Sequence, residues 1–224
     1  MMVDILPRCV LLDLDGTLLD TAPDLHAALN RALAQEGFEG VPLENARPWV
    51  SHGAPEMVRN ALGGLEEHPS YEHVLNRMIE DYGRNLAVRT VLFEGMGQTL
   101  DKIEQRGLNW GIVTNKRSRF TEPLLKALNL LERASCVISG DTTKHKKPHP
   151  EPLLEACRQT AVKPRECFYI GDAEKDIRAG RHAGMRTLAA AYGYLSESDN
   201  AADWLADGVL ARPLDLLQWI PQLD

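Results

Sequence analysis

The chain has 224 residues and a formal net charge of −7 at neutral pH, a length that suffices for one large domain or for a core with a smaller insert. An acidic chain without a long Lys/Arg block is not expected to bind nucleic acid, and no apolar run approaches the roughly 20 residues that cross a bilayer. The first residues show neither a basic leader nor a small-residue cleavage site, so we expect a cytoplasmic protein.

The first predicted element is an apolar strand at 9–14 that ends beside two carboxylates and a Gly-Thr turn. Residues i and i+2 of a strand lie on the same face, so Asp13 and Asp15 should point together. Gly16 allows the backbone to turn sharply beneath them. The pair suits covalent phosphoryl transfer, because one carboxylate can attack while its neighbour handles a proton. An acidic strand end before an ordinary turn is the alternative interpretation.

The next segment, residues 21 to 88, has helical periodicity and no convincing strand. Thr21 predicts an N-cap, and Gly37 predicts the end of the first helix. Further helices are predicted at 55–62 and 71–86. An all-helical block inserted directly after the first strand indicates a cap over the strand ends.

The rest of the chain alternates short β-like runs with amphipathic helical stretches, which implies crossover connections and a parallel sheet. The strands are predicted at 109–113, 136–139, 167–170, 187–191 and 208–210. The helices are predicted at 97–105, 120–128, 151–160, 174–183 and 214–219. We therefore predict an α/β fold, a doubly wound parallel sheet of Rossmann-like type with an inserted all-helical cap domain. The predicted core is 1–19 plus 89–224, and the predicted cap segment is 20–88, with hinges near 20–22 and 85–92.

The four cysteines are far apart in the sequence and form no CxxC pair. We expect buried thiols, and neither a disulfide framework nor a zinc site. They are Cys9, Cys136, Cys157 and Cys167.

Polar residues follow two further predicted strands, at the edge where ligands bind in a parallel α/β sheet. Thr114 and Asn115 follow strand 109–113, and the helix after them has N-terminal N–H groups that could hold an oxyanion. A helix cap is the alternative for this pair. Lys147 enters a proline turn after strand 136–139, where a lysine can neutralise a carboxylate and a phosphoryl oxygen at once. A solvated surface charge is the alternative for Lys147.

A last pair of carboxylates follows strand 167–170. Asp172 ends this strand, and Asp176 lies one helical turn further on the same face, although a helix cap and an exposed acid would give the same pattern. Together with Asp13 and Asp15, these residues would form a cluster of like charges that repel one another. A bound divalent ion resolves such a cluster, and oxygen-only ligands indicate Mg²⁺ in preference to Zn²⁺.

The motifs DLDGT, TN, KP and GDxxxD, in this order, resemble those of the haloacid dehalogenase superfamily of phosphatases over nearly the whole chain. More narrowly, LDLDGTLLDTAPDL, GIVTNK, KKPHPEPLL and IGDAEKDIRAGRHAG are similar to the phosphoglycolate phosphatase family, whose members carry a helical cap after the first motif. The stretches NWGIVTNKRSRF and AAYGY, with the late Trp204, are also similar to the N-acetylmuramic acid 6-phosphate phosphatases.

The resemblance implies a role for each matching residue. Asp13 would be the nucleophile that forms an aspartyl-phosphate, and Asp15 the general acid and then the base, which must hold a proton near neutral pH. Mg²⁺ would be held by Asp13, the backbone carbonyl of Asp15, and Asp172. Asp176 would act nearby, through water or by orienting Lys147. The phosphoryl oxygens would be bound by Thr114, Asn115 and Lys147.

Substrate choice should come from the cap segment, because the core motifs recognise only phosphate and metal. The turn at 51–54 precedes a helix, so Ser51, His52 and Gly53 are candidate substrate contacts. The alternatives are an N-cap for Ser51 and a solvent-exposed position for His52. Further candidates, for a substrate carboxylate, are Arg47, Lys116 and Arg119, each with an ordinary surface charge as the alternative.

These patterns predict a Mg²⁺-dependent phosphatase for a small phosphorylated metabolite, as a monomer or a homodimer. A phosphomutase of similar design is one alternative, with a second substrate hydroxyl as acceptor in place of water. A phosphate-binding regulatory protein without turnover is another, and a dehalogenase is less favoured, because its chemistry needs neither Asp15 nor a metal cluster.

Overall fold

The central feature of the fold is a parallel six-stranded sheet, seen in a computed structural model that describes residues 6–64 and 68–220. Residues 1–5, 65–67 and 221–224 of the predicted core and cap segment lie outside the described residues. In chain order the elements are β1 (Cys9–Leu12), β2 (Leu19–Asp20), α1 (Ala22–Gln35), α2 (Leu43–Ala46), α3 (Ala54–Ala61), α4 (Tyr71–Arg84), β3 (Val91–Leu92), α5 (Met96–Gln105), β4 (Asn109–Val113), α6 (Ser118–Ala127), β5 (Val137–Ile138), α7 (Glu151–Thr160), β6 (Cys167–Gly171), α8 (Glu174–Ala183), β7 (Arg186–Ala190) and β8 (Gly208–Leu210). Short 3-10 helices lie at Arg47–His52, Pro164–Glu166, Ala201–Trp204 and Pro213–Gln218.

The strand order of the sheet is β5-β4-β1-β6-β7-β8, and neighbouring strands run parallel. Counted along the chain as strands of this sheet alone, the order is 3-2-1-4-5-6, which is that of a doubly wound Rossmann-like fold. The predicted fold class is therefore confirmed. The order reverses between β1 and β6, and ligands of such sheets bind at this reversal, beyond the carboxyl ends of the strands.

Both faces of the sheet are buried, which explains the unbroken apolar sequence of β1. Val10 and Leu12 point into one core cluster, and Cys9 and Leu11 point into the other, as the alternation of a strand requires. All four cysteines lie in the second cluster as free thiols, so their predicted burial is confirmed.

A short ribbon marks the points where the chain leaves the sheet layer and returns to it. Its two strands, β2 and β3, pair antiparallel, and α1 to α4 lie between them in the sequence around an apolar cluster of their own. In the first turn of α1, the Asp24 carboxylate accepts hydrogen bonds from the backbone N–H groups of Val88, Arg89 and Thr90. These contacts lie at the predicted hinges, and the division into core and cap segment stays a prediction.

The helix predicted at 214–219 is wrong in type, because Pro213–Gln218 forms a 3-10 helix. Six residues are too few for the apolar period to distinguish the two helix types. The sequence also did not predict α2 or the 3-10 helix Arg47–His52, which have four and six residues. The other predicted bounds match the observed ones or differ from them by one or two residues.

Candidate active site

A buried lysine connects two carboxylates at the strand reversal. The Lys147 ammonium lies 2.8 Å from Asp13 and 2.8 Å from Asp176, and none of its side chain is exposed. It also donates to the Tyr169 hydroxyl at 2.8 Å, and that hydroxyl donates to the backbone carbonyl of Val113 at the end of β4. Lys147 is thus held by the loop after β1, by β6 and by α8, and the alternative of a solvated surface charge is wrong.

Asp172, directly after β6, completes the acidic cluster. Carboxylate oxygens of Asp13, Asp172 and Asp176 lie within 4.8 Å of one another. Asp172 accepts hydrogen bonds from the Thr17 hydroxyl at 3.1 Å and the Tyr194 backbone N–H at 3.0 Å. Asp13 and Asp172 lie in the loops that immediately follow the adjacent parallel strands β1 and β6, and Asp176 lies in the first turn of α8.

A glycine is required where the turn after β1 passes this carboxylate. Gly16 has a φ of 85°, and a Cβ atom there would collide with the Asp172 side chain. Any larger residue would therefore meet both backbone strain and a steric clash. Gly16 lets the Asp13 loop and the Asp172 loop come into contact.

The cluster carries an excess of negative charge. Burial, and then the charges of Asp13 and Asp176, raise the pKa of Asp172 to about 7. Burial also raises the pKa of Asp13, although the Lys147 ammonium opposes this shift. Burial on its own would lower the pKa of Lys147, but the two carboxylates beside it outweigh burial and raise that pKa. Three carboxylates face one ammonium, so a divalent cation would relieve their repulsion, and their oxygens are the ligand type that Mg²⁺ takes.

Asp15 faces a different set of partners. It accepts a hydrogen bond from the Thr21 hydroxyl at 2.6 Å, and the Lys116 ammonium lies 2.9 Å from its carboxylate. Thr21 occupies the N-cap position of α1, as predicted, but its side chain makes no capping hydrogen bond. Lys116 is no ordinary surface cation, because only 8% of its side chain is exposed. Burial alone would lower the pKa of Lys116, but the Asp15 carboxylate outweighs burial and raises it.

The two residues after β4 differ in their contacts. The Thr114 hydroxyl accepts a hydrogen bond from the Lys116 backbone N–H at 3.1 Å. The Asn115 side chain bonds the backbone of Lys147 twice, since its Nδ2 donates to the carbonyl and its Oδ1 accepts from the N–H. Asn115 thus fixes the loop that carries Lys147, a role that the sequence did not indicate.

The predicted turn of the cap segment meets the core at the acidic cluster. Ser51 donates from its hydroxyl to Asp172 Oδ2 at 2.7 Å, and its carbonyl accepts a hydrogen bond from the Lys175 ammonium. The N-cap alternative for Ser51 is wrong, because Gly53 occupies the N-cap position of α3. His52 is exposed, but it also borders the main cavity.

Arg47 does not reach the main cavity. Its guanidinium forms two hydrogen bonds with Asp20, at 2.9 and 2.7 Å, and lies over the Tyr194 ring. It borders a separate hollow of about 460 Å³ between the cap segment and the loop after β7. The structure thus does not bring Arg47 to the cavity that the other predicted substrate contacts line, and its contact with a substrate carboxylate stays a prediction.

The main cavity has a volume of about 870 Å³ and lies between the cap segment and the sheet edge. From the core it is lined by Asp13, Asp15, Thr114, Asn115, Lys116 and Lys175, and from the cap segment by Ser51, His52, Gly53 and Tyr82. Arg119, which packs over the Phe120 ring, also borders it, together with Arg117 and Lys146. Most of the residues predicted to contact the substrate or its phosphate thus line one cavity. Tyr82 and Lys175 also line it and were not predicted from the sequence.

The sheet order and the carboxylates after β1 and β6 are those expected of the superfamily that the motifs resemble. A family model described as haloacid dehalogenase-like hydrolase matches residues 10–190. The chain therefore belongs to the haloacid dehalogenase-like hydrolases. Among the described residues, none of the helices has the length and apolar character needed to cross a membrane.

Similar proteins cover nearly the whole chain. An N-acetylmuramic acid 6-phosphate phosphatase from Pseudomonas putida is 44% identical over 93% of this chain and 94% of its own length. A phosphoglycolate phosphatase from Xanthomonas campestris is 40% identical over 96% of each chain. The crystal structure of a predicted phosphoglycolate phosphatase from Haemophilus somnus has a TM-score of 0.85 at 25% identity and covers 98% of this chain and 99% of its own. The predicted enzyme class, a phosphoric monoester hydrolase, is confirmed by these relatives.

Proposed function

We propose that the chain hydrolyses a phosphate monoester with Mg²⁺ through an aspartyl-phosphate on Asp13. The observation that carries this proposal is the meeting of Asp13, Asp172 and Lys147 at the strand reversal, beside the cavity. Asp13 reaches the cavity, whereas Asp172 and Asp176 lie behind it and do not line it. Of the three clustered carboxylates, Asp13 is thus the one presented to a ligand, and Asp172 and Asp176 lie directly behind it.

Each step of this reaction can be assigned to a residue. A carboxylate oxygen of Asp13 attacks phosphorus, the bond to the leaving oxygen breaks, and Asp15 gives that oxygen its proton. Water then attacks the phosphorus of the aspartyl-phosphate and Asp15 takes a proton from that water. The bond between phosphorus and the Asp13 oxygen breaks, which restores the Asp13 carboxylate and releases orthophosphate. Lys147 neutralises charge beside Asp13, and the Thr114 hydroxyl is available to a phosphoryl oxygen.

Mg²⁺, when bound, supplies positive charge for the phosphoryl oxygens. The residues proposed to hold it are Asp13, Asp172 and the backbone carbonyl of Asp15. Asp176 is better placed to orient Lys147, because one of its carboxylate oxygens pairs with that ammonium and the other accepts from the Ala173 N–H. This supports the orienting alternative for Asp176 over a metal contact through water.

The cavity volume favours a leaving group of sugar size. At about 870 Å³, the cavity lies toward the upper end of the range of about 300–1,000 Å³ that holds drug-sized ligands. N-acetylmuramic acid 6-phosphate, the substrate in the name of the Pseudomonas putida relative, would fill more of it than a two-carbon substrate does. 2-Phosphoglycolate, with two carbon atoms, is the second candidate, supported by the Xanthomonas campestris relative and by the cations Arg119 and Lys175 at the cavity.

A phosphate-release assay tests the proposal. Purified protein with Mg²⁺ is given each of the two substrates, with Asp13→Asn as the blank. We expect wild type to release orthophosphate without any bisphosphate activator, with a higher kcat/KM for the amino sugar phosphate. The variant should release no orthophosphate above background. A requirement for a bisphosphate would indicate the phosphomutase alternative. Binding of the substrates without any release would indicate the regulatory alternative and contradict the proposal.

A further inference from the structure

The 3-10 helix Arg47–His52 places one residue of the cap segment in direct contact with the acidic cluster. Ser51 donates to Asp172 Oδ2 at 2.7 Å, and Lys175 on α8 donates to the Ser51 carbonyl. Both partners of Ser51 come from the short stretch that follows β6. The side chain and the backbone of this one residue are therefore fixed by the core.

Asp172 depends on few donors for its orientation. Its carboxylate is almost fully buried, with 2% of the residue exposed. Within the described ranges its side chain accepts from Thr17, Tyr194 and Ser51, and only Ser51 belongs to the segment 20–88. The first two donors stay with the core, whereas the third leaves if the cap segment moves away. The alignment of this carboxylate thus depends on where the cap segment lies.

We propose that Ser51 is a positioning residue for the metal site, so that Mg²⁺ affinity and the docked position of the loop 47–53 depend on each other. The inference rests on the proposed metal-dependent function. Groups that hydrogen-bond to a ligating carboxylate fix its orientation, and their loss costs about 10- to 100-fold in metal affinity. Because linkage is reciprocal, bound Mg²⁺ must also stabilise the docked loop by the same factor.

The first experiment measures Mg²⁺ binding by calorimetry on protein stripped of metal. Ser51→Ala removes the hydroxyl, and Ser51→Thr keeps a hydroxyl at the same position. Ser70→Ala is the matched control, because Ser70 also lies in the cap segment and its side chain does not cap α4. We expect Ser51→Ala to weaken Mg²⁺ binding by about tenfold or more, and Ser51→Thr to restore most of the loss. Ser70→Ala should bind as wild type does.

The second experiment measures the rate of amide hydrogen exchange in the loop 47–53. Mg²⁺ should slow amide exchange across 47–53 in wild type and in Ser70→Ala, and should have much less effect on this loop in Ser51→Ala. Exchange in β6 serves as an internal reference, since a variant that has lost its fold would exchange there as well. Neither measurement depends on turnover.

The outcomes separate the inference from the function on which it rests. A Mg²⁺ affinity of Ser51→Ala within twofold of wild type, or tighter than wild type, overturns the inference. Wild-type protein that binds no Mg²⁺ overturns both proposals. If wild type binds Mg²⁺ but releases no phosphate from any substrate, the phosphatase proposal fails, and the binding comparison still decides the role of Ser51.

Discussion

The ammonium of Lys116 lies 2.9 Å from a carboxylate oxygen of Asp15, and both side chains line the main cavity. The same ammonium lies 4.5 Å from the centre of the Tyr82 ring, which belongs to α4 of the cap segment. A contact chain thus runs from the cap segment, through a buried cation, to the proposed proton donor. The hydroxyl of Thr21, which lies in the predicted hinge 20–22, donates a hydrogen bond to the same carboxylate.

The first prediction concerns this cation. Lys116→Met keeps the length of the side chain and removes its charge, so Asp15 loses one of the two donors that orient it. We expect kcat/KM for phosphate release to fall by about tenfold or more, since a positioned acid contributes about 10²- to 10⁴-fold to a rate. The assay is steady-state phosphate release. Lys126→Met, on an exposed site of α6, is the matched control, and a Lys116→Met rate within twofold of wild type would contradict the prediction.

The second prediction concerns the buried Tyr169 hydroxyl, which accepts from Lys147 and donates to the Val113 carbonyl. Tyr169→Phe leaves that carbonyl without this donor inside the core. We expect the free energy of unfolding to fall by about 1–3 kcal/mol, the cost of an unsatisfied buried polar group. Urea denaturation measures it. Tyr71→Phe removes a hydroxyl whose one hydrogen bond to the described residues is long, 3.4 Å, and exposed, so it should change stability by much less. Equal losses in the two variants would refute the argument.

The third prediction concerns the junction between the cap segment and the core. Asp24 accepts backbone N–H bonds from Val88, Arg89 and Thr90, and its carboxylate is almost fully buried. Asp24→Asn replaces one acceptor oxygen by an NH₂ group that faces these donors. We expect a loss of about 2–3 kcal/mol in urea denaturation and faster proteolysis within 85–92. Asp199→Asn, in an exposed turn, is the control, and unchanged proteolysis at 85–92 would contradict this role of Asp24.

The convergence of Asp13, Lys147 and Asp172 could be predicted because it depends on topology. Each residue follows a predicted parallel strand, and parallel strands share one carboxyl edge. Asp13 lies just beyond β1 and Asp172 just beyond β6, so their place at this edge follows from where the strands end. Patterns that involve neighbouring residues therefore sufficed for the convergence of these residues and for most elements of the sheet.

The contacts between the cap segment and the core could not be predicted in the same way. Ser51 and Asp172 are 121 positions apart, and Lys116 and Asp15 are 101 apart. Whether such pairs meet depends on how one layer packs on the other, which no local period encodes. Arg47 illustrates the same limit, because its charge suggested a substrate contact, whereas the fold places Asp20 beside it.

The last prediction concerns pH and metal removal. Burial, and then the charges of Asp13 and Asp176, raise the pKa of Asp172 from an ordinary value of 3.8 to about 7. Between these values the folded state without metal holds a proton that the unfolded state has lost. This contribution to stability is therefore present in full below about pH 4 and is lost as the pH rises through about 7. At roughly 1.4 kcal/mol per pKa unit, the loss of stability over this pH range amounts to at most about 4 kcal/mol.

Urea denaturation of wild type and Asp172→Asn in EDTA, from pH 4 to pH 8, measures this contribution as a difference between the two proteins. The amide of the variant has no proton to lose in this pH range, so wild type should become progressively less stable than the variant as the pH rises. Saturating Mg²⁺ should reverse the trend in wild type alone, because the ion binds the charged carboxylate and stabilises the fold by mass action. A difference that is independent of pH in EDTA, or a Mg²⁺ effect of equal size in both proteins, would show that Asp172 neither carries this proton nor holds the metal.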